Sequence, residues 1–134
     1  MFNYVHAFSG FSVDDLDKAR AFYGQTLGLK VEDNQDAGIL KIHLNDNTWV
    51  LAYPKPDHKP ATYTILNFEV EDIEKAAQNL KDLGITFEKY PGLDIGEDGI
   101  SRSENGPLIA WFTDPAGNII GDARGVTHLR GLTG

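Results

Sequence analysis

The chain contains no cysteine. That absence excludes disulfides, thiolate metal sites and a cysteine nucleophile, and it sets the expectation of a cytoplasmic address. No apolar run approaches the ~18 residues of a membrane span, and the opening Met1-Phe-Asn-Tyr-Val-His6 lacks the basic start of a secretory signal. Basic residues are also scarce: Lys and Arg number 12 against 20 Asp and Glu, for a net charge of -8. Such a surface repels a phosphate backbone, so neither nucleic acid nor a membrane is an expected partner. No Gly-x-Ser-x-Gly elbow and no phosphate-binding glycine loop between strand and helix occurs.

What is present is a repetition. Phe11-Ser-Val-Asp-Asp-Leu-Asp-Lys-Ala19 returns, conservatively altered, as Phe68-Glu-Val-Glu-Asp-Ile-Glu-Lys-Ala76, and the copies run on to Leu27-Gly-Leu29 and Leu83-Gly-Ile85. Repeat arrays need about three units to bury a core. Two copies in 134 residues with 41% hydrophobic content therefore predict a pseudo-symmetric pair of modules.

In the first copy a strand over 4–12 leads to an N-cap at Asp14 or Asp15. Leu16, Ala19, Phe22, Tyr23 and Leu27 then form one helical stripe, stopped by Gly28. Strands follow at 29–32, 39–44 and 48–53, with turn formers at 34–38 and 45–47. The second copy repeats the order: a strand over 62–70, a helix over 72–83, and strands at 85–90, 108–113 and 118–123, the last two joined by Asp114-Pro-Ala-Gly117. Each unit reads βαβββ. Module one spans 1–53 and module two 61–123. Three prolines in 54–60 make the connector stiff and extended. The glycine-rich stretch 91–107 is either an ordered lid or a mobile excursion, and the tail 124–134 is expected to fray. The acidic pairs Asp14-Asp15 and Glu71-Asp72 stand at helix starts, which explains them as caps rather than as a catalytic dyad.

Val-x-Asp-Leu leading into Ala19-Arg-Ala-Phe-Tyr23 and then Leu-Gly-Leu, closed by Asp114-Pro-Ala-Gly-Asn118, resembles the glyoxalase/bleomycin-resistance/extradiol-dioxygenase family, also called vicinal oxygen chelate. The resemblance implies an α+β fold: two tandem βαβββ modules forming a curled mixed-sheet cup, with helices outside and ligands inside. It also implies a homodimer. Metal-using members of the family hold a divalent ion through one residue five before the Val of each Val-x-Asp motif and one on each module's last strand. Here those positions are Phe8, Ile65, Gly121 and either Val50 or Leu51. Hard divalent ions need oxygen or imidazole donors, so no metal and no other cofactor is expected. Asp122, next to the vacant position, alternates to the opposite face unless a bulge intervenes. His43, His58 and His128 have no spacing suited to a shared ion.

The expected function is the binding of a small organic molecule in an aromatic-lined cup, leaning away from enzymatic activity. The alternative is a glyoxalase-like lyase or isomerase, or a dioxygenase, with a non-standard site. Strand alternation turns Phe8, Gly10 and Ser12 inward on the first strand, and Tyr63, Ile65, Asn67 and Glu69 inward on its counterpart. Trp49, Tyr53, Tyr90 and Trp111 join the lining. His6 shares the face of Phe8, either as a cavity acid or base or as a polar residue near a sheet end. Asn67 and Glu69 are pointed signals, because an interior amide or carboxylate costs several kcal/mol if unpaired, about 2–7 by transfer measures. Arg102, on the glycine-rich stretch, either closes over an anionic group or is a solvated loop cation.

Overall fold

A computed structural model describes residues 1–34, 36–103 and 106–126. Its contacts divide into two units, Met1–Pro60 and a second beginning at Ala61. The tail from residue 127, including His128, lies outside the described residues.

In the first unit, β1 (Ser9–Val13) runs into α1 (Leu16–Arg20), which is followed by β2 (Val31–Asn34), β3 (Ile39–His43) and β4 (Trp49–Pro54). Asp15 is the cap: its carboxylate accepts the Lys18 N–H at 3.1 Å, satisfying one of the helix's orphan donors. The stripe that predicts a continuous α-helix is interrupted after one turn. From Ala21 to Thr26 the coil widens to π geometry, with the Leu27 N–H reaching back to the Phe22 carbonyl at 2.9 Å. The wide turn brings Gly24 against Val31, where an added Cβ would stand 3.0 Å from a valine methyl, and it drives Tyr23 into complete burial between Phe22 and Phe11. Gly28 ends the segment at φ 75, the left-handed conformation that favours glycine.

The sheet order is β1-β4-β3-β2, with β1 parallel to β4 and the other pairs antiparallel. Asp46 and Asn47, at φ 57 and 61, make the tight turn between β3 and β4. Alternation then separates the faces. Val13, Leu40, Ile42 and Ala52 are fully buried on one, and each of the larger three contributes roughly 1.5–3 kcal/mol by leaving water. The other face carries Lys41, His43, Trp49, Leu51 and Tyr53. β1 begins at Ser9 rather than residue 4, and Met1, Phe2, Tyr4 and Val5 project as exposed side chains outside the sheet.

The second unit repeats the plan with β5 (Thr64–Glu69), α2 (Ile73–Asp82), β6 (Ile100–Ser101), β7 (Leu108–Thr113) and β8 (Ile119–Arg124), in sheet order β5-β8-β7-β6. Asp72 caps α2 as Asp15 caps α1, accepting the Lys75 N–H at 3.1 Å. Ile73 and Ala77 of α2 pack with Ile100 and Ala110.

The strand expected at 85–90 does not form. That segment contributes Phe87 to the core and meets β7 through the Glu88 N–H, which donates to the Trp111 carbonyl at 2.7 Å. The edge of β7 is taken instead by β6, from within the stretch expected to be an irregular loop: Ile100 pairs with Ala110 and Ser101 with Ile109. Gly99 makes this possible. It sits at φ 88 with Phe87 so close that an added Cβ would lie 2.7 Å from the ring, and the chain turns there from Gly96 back to Ile100. Among the described residues no helix is long and apolar enough to cross a membrane.

Candidate functional site

The face of the first sheet away from α1 forms a groove of about 690 Å³. Its floor is apolar, with Ile39, Leu51 and the Trp49 indole, and Glu32, Asp33 and Asp36 stand on one side. Trp49 is the centre of a ring cluster. Phe8 stacks on it at 4.2 Å between centroids, His6 lies at 5.2 Å, and the Lys41 ammonium sits 4.6 Å from the ring centre. A cation over an indole face is attracted by the ring quadrupole, which holds the Lys41 ammonium against Trp49. Tyr53 lies further along β4, exposed, where a Cβ on Gly10 would touch its ring.

Part of the acidic side of the groove is matched by cations. Asp33 is held by Arg20 through contacts of 2.6 and 2.8 Å, which lower its pKa below the usual range. Glu32 is lowered chiefly by His43, whose Nε2 stands 3.2 Å away without the alignment of a hydrogen bond, with Lys30 at 3.7 Å. His58, in the connector, pairs with Ser12 Oγ at 2.6 Å.

The corresponding face of the second sheet is built around Trp111. Its indole N–H donates to Thr64 Oγ1 at 3.1 Å, and the Tyr90 ring meets it edge-on at 5.5 Å. Burial pushes the Tyr90 phenol above its ordinary pKa. Register places Asn67, Gly121 and Trp111 side by side across β5, β8 and β7. Uniform alternation along β5 puts Tyr63 and Ile65 on that face, but a bulge between Thr64 and Leu66 shifts the register. Thr64 is therefore the residue that meets Trp111. Tyr63 lies before the strand, 70% exposed, and joins no ring cluster among the described residues. Glu69 is exposed at the end of β5, aligned with Ala123. Nothing in the local pattern signals Thr64, because a bulge is set by how β5 and β8 fit together.

Arg102 is engaged elsewhere. Its guanidinium bonds the Asp98 carboxylate at 2.6 and 3.1 Å and lies 3.6 Å from Glu74, tying the β6 turn to α2. The Arg102 cation in turn holds Asp98 down at about 2.

The positions at which a metal ion would be expected can be tested one by one. Phe8 is stacked on Trp49, Leu51 faces the groove, Val50 is buried on the helix side, and Ile65 lies at the bulge. At Gly121 an added Cβ would stand 2.8 Å from Asn67 Oδ1, so the asparagine amide occupies the space a ligating side chain would need. The bulge falls on β5, and Asp122 stays on the helix side, aligned with Phe68 and Ala110. These residues do not fit a divalent ion. Among the described residues no group of three His, Asp or Glu is arranged to hold a metal.

The family model described as Glyoxalase/Bleomycin resistance protein/Dioxygenase superfamily matches residues 4–121. Similar solved structures include an antibiotic binding protein from a Streptomyces species, 22% identical with TM-score 0.69, covering 92% of this chain and 98% of that one. A member of the same superfamily from Sphaerobacter thermophilus is 26% identical with TM-score 0.66 over 92% and 98% of the two chains. Lactoylglutathione lyase from Agrobacterium tumefaciens is 20% identical with TM-score 0.66 over 90% and 93%. No curated protein matches the chain significantly.

Proposed function

Because the chain belongs to the glyoxalase/bleomycin resistance protein/dioxygenase superfamily yet has no donor side chain at the ligand positions, we propose that it binds a small organic molecule without a metal ion. The groove over Trp49 carries this reading. Its volume, about 690 Å³, lies within the roughly 300–1,000 Å³ of ordinary ligand pockets, which combine apolar walls with a few polar groups. The indole, Leu51 and Ile39 offer an apolar floor, and the Lys41 ammonium lies over the indole. Since Asp33 is already matched by Arg20 and Glu32 has Lys30 at 3.7 Å, the groove selects on shape and stacking more than on charge. An antibiotic binding protein among the similar structures supports sequestration as the mode of action.

The test uses a Trp111→Phe background, in which Trp49 alone reports. Titration with a panel of planar aromatic compounds is expected to give saturable quenching by at least one of them, abolished by Leu51→Glu. No saturable change across the panel, checked by calorimetry, would overturn the binding site. Metal analysis of protein purified without chelator tests the other half: stoichiometric zinc, nickel, manganese or iron retained by the protein would refute metal-free binding and favour the lyase or dioxygenase alternative. The exposed Met1, Phe2, Tyr4 and Val5 support a second copy of the chain as partner. Sedimentation at micromolar concentration is expected to show a homodimer, and a monomer would refute it.

A further inference from the structure

Asp122 stands in the middle of β8 with 2% of its surface exposed, and neither carboxyl oxygen has a hydrogen-bond partner among the described residues. Its neighbours across the sheet are Phe68 on β5 and Ala110 on β7, and Ala110 belongs to the cluster formed with Ile73 and Ala77 of α2. Among the described residues no countercharge faces it. β7 carries no titratable residue, and β6 supplies only Ile100 and Ser101. On β5, Glu69 is exposed and aligned with Ala123 rather than Asp122. Glu74, Lys75, Lys81 and Asp82 of α2 are all exposed, as is Arg124, which donates to the Glu71 carbonyl. A carboxylate in such surroundings loses its hydration without compensation, whereas the neutral acid loses far less.

We propose that Asp122 makes the docking of α2 onto the second sheet responsive to acidity: the neutral acid lets the layer close, and ionisation loosens it. Burial pushes this carboxyl up to about 6 from the ordinary 3.8. In the unfolded chain Asp122 ionises near 3.8, so below that pH both states are protonated and the group exerts no bias. As pH rises from about 4 to about 6 the unfolded or opened state releases its proton first, and closure is progressively disfavoured. Above about 6 the penalty is complete and constant. This direction is opposite to that of a salt-bridged carboxylate, whose stabilisation is lost on acidification. The two pKa values correspond to a change on the order of a hundredfold in the opening equilibrium.

Amide hydrogen exchange of the α2 residues, corrected for intrinsic rates and measured at pH 4.5 and pH 7.5, tests the inference. In the natural protein the opening of the Ala77 and Leu80 amides is expected to rise by tens of fold at the higher pH, and in Asp122→Asn this rise should disappear. Equal pH dependence in the two proteins would overturn the proposal. Should Asp122→Asn fail to fold, the carboxyl carbon shift of Asp122 followed by NMR in the natural protein decides instead. A midpoint near 6 supports the switch, and a midpoint near 4 refutes it.

Discussion

Replacing Asp114 by alanine should strongly destabilise the second unit. Asp114 is 4% exposed between β7 and β8, and its carboxylate organises the whole connection. Oδ1 accepts the backbone N–H groups of Ala116 and Asn118, both at 2.9 Å, and Oδ2 accepts the Asn118 side-chain amide at 3.0 Å. Hydrogen bonds to a charged acceptor contribute about 1.5–3 kcal/mol each, and they are not additive. Water reaches the half-buried Ala116 more readily than the buried Asn118, so roughly two of the three bonds are lost without replacement, a loss of about 3–4 kcal/mol. With a urea slope of about 1–3 kcal/mol per molar, the unfolding midpoint should fall by roughly 2 M. Trp111, on the strand entering the turn, reports the transition when Trp49 is replaced by Phe in both proteins. Asp114→Asn keeps Oδ1 for both backbone donors and should lose only about 1–2 kcal/mol. A loss below about 1 kcal/mol in the alanine variant, or equal losses in the two variants, would refute the assignment of the turn's stability to Oδ1.

Other outcomes follow from backbone geometry and capping. Gly99→Ala should lower stability by about 2–4 kcal/mol, since it combines a left-handed backbone with collision against Phe87, whereas Gly38→Ala, at φ 65 in open space, should lose about 1–2 kcal/mol. Thermal melting distinguishes them, and similar losses would show that Phe87 does not seal Gly99. Asp15→Ala and Asp72→Ala should each cost about 1 kcal/mol in chemical denaturation, within the usual range for a lost N-cap. Gly121→Ala should be tolerated at under about 1 kcal/mol, because the atom in its way is the end of the Asn67 side chain. It should alter Trp111 fluorescence through the displaced amide, and an unchanged spectrum would count against the Asn67–Gly121–Trp111 arrangement.

Much of the scaffold was legible because its signals are local. Asp15 and Asp72 cap their helices through a bond that spans three residues, and Gly28 and Gly84 end them by adopting positive φ. The Asp114–Asn118 turn likewise carries its own hydrogen bonds within five residues. Other elements depended on partners far along the chain. Ile85–Tyr90 has strand-like content, yet the edge of β7 went to Ile100 and Ser101, because Gly99 allows that segment to lie against Phe87. The helix stripe from Leu16 to Leu27 concealed the π segment, which serves the contact between Gly24 and Val31.

The candidate site divides in the same way. Residue types alone determined that Phe8, Ile65, Gly121 and Val50 or Leu51 cannot bind a hard ion, because ligation requires a donor atom and these side chains have none. Sequence also determined the duplication and the order of elements in each half. Only the tertiary structure decided that Asn67 fills the space beside Gly121, that Thr64 rather than Tyr63 meets Trp111, that Arg102 is tied to Asp98 and Glu74, and that Asp122 is buried with no hydrogen-bond partner among the described residues. Each of those outcomes turns on register and burial between segments distant in the chain, where a shift of one residue exchanges the faces of a strand.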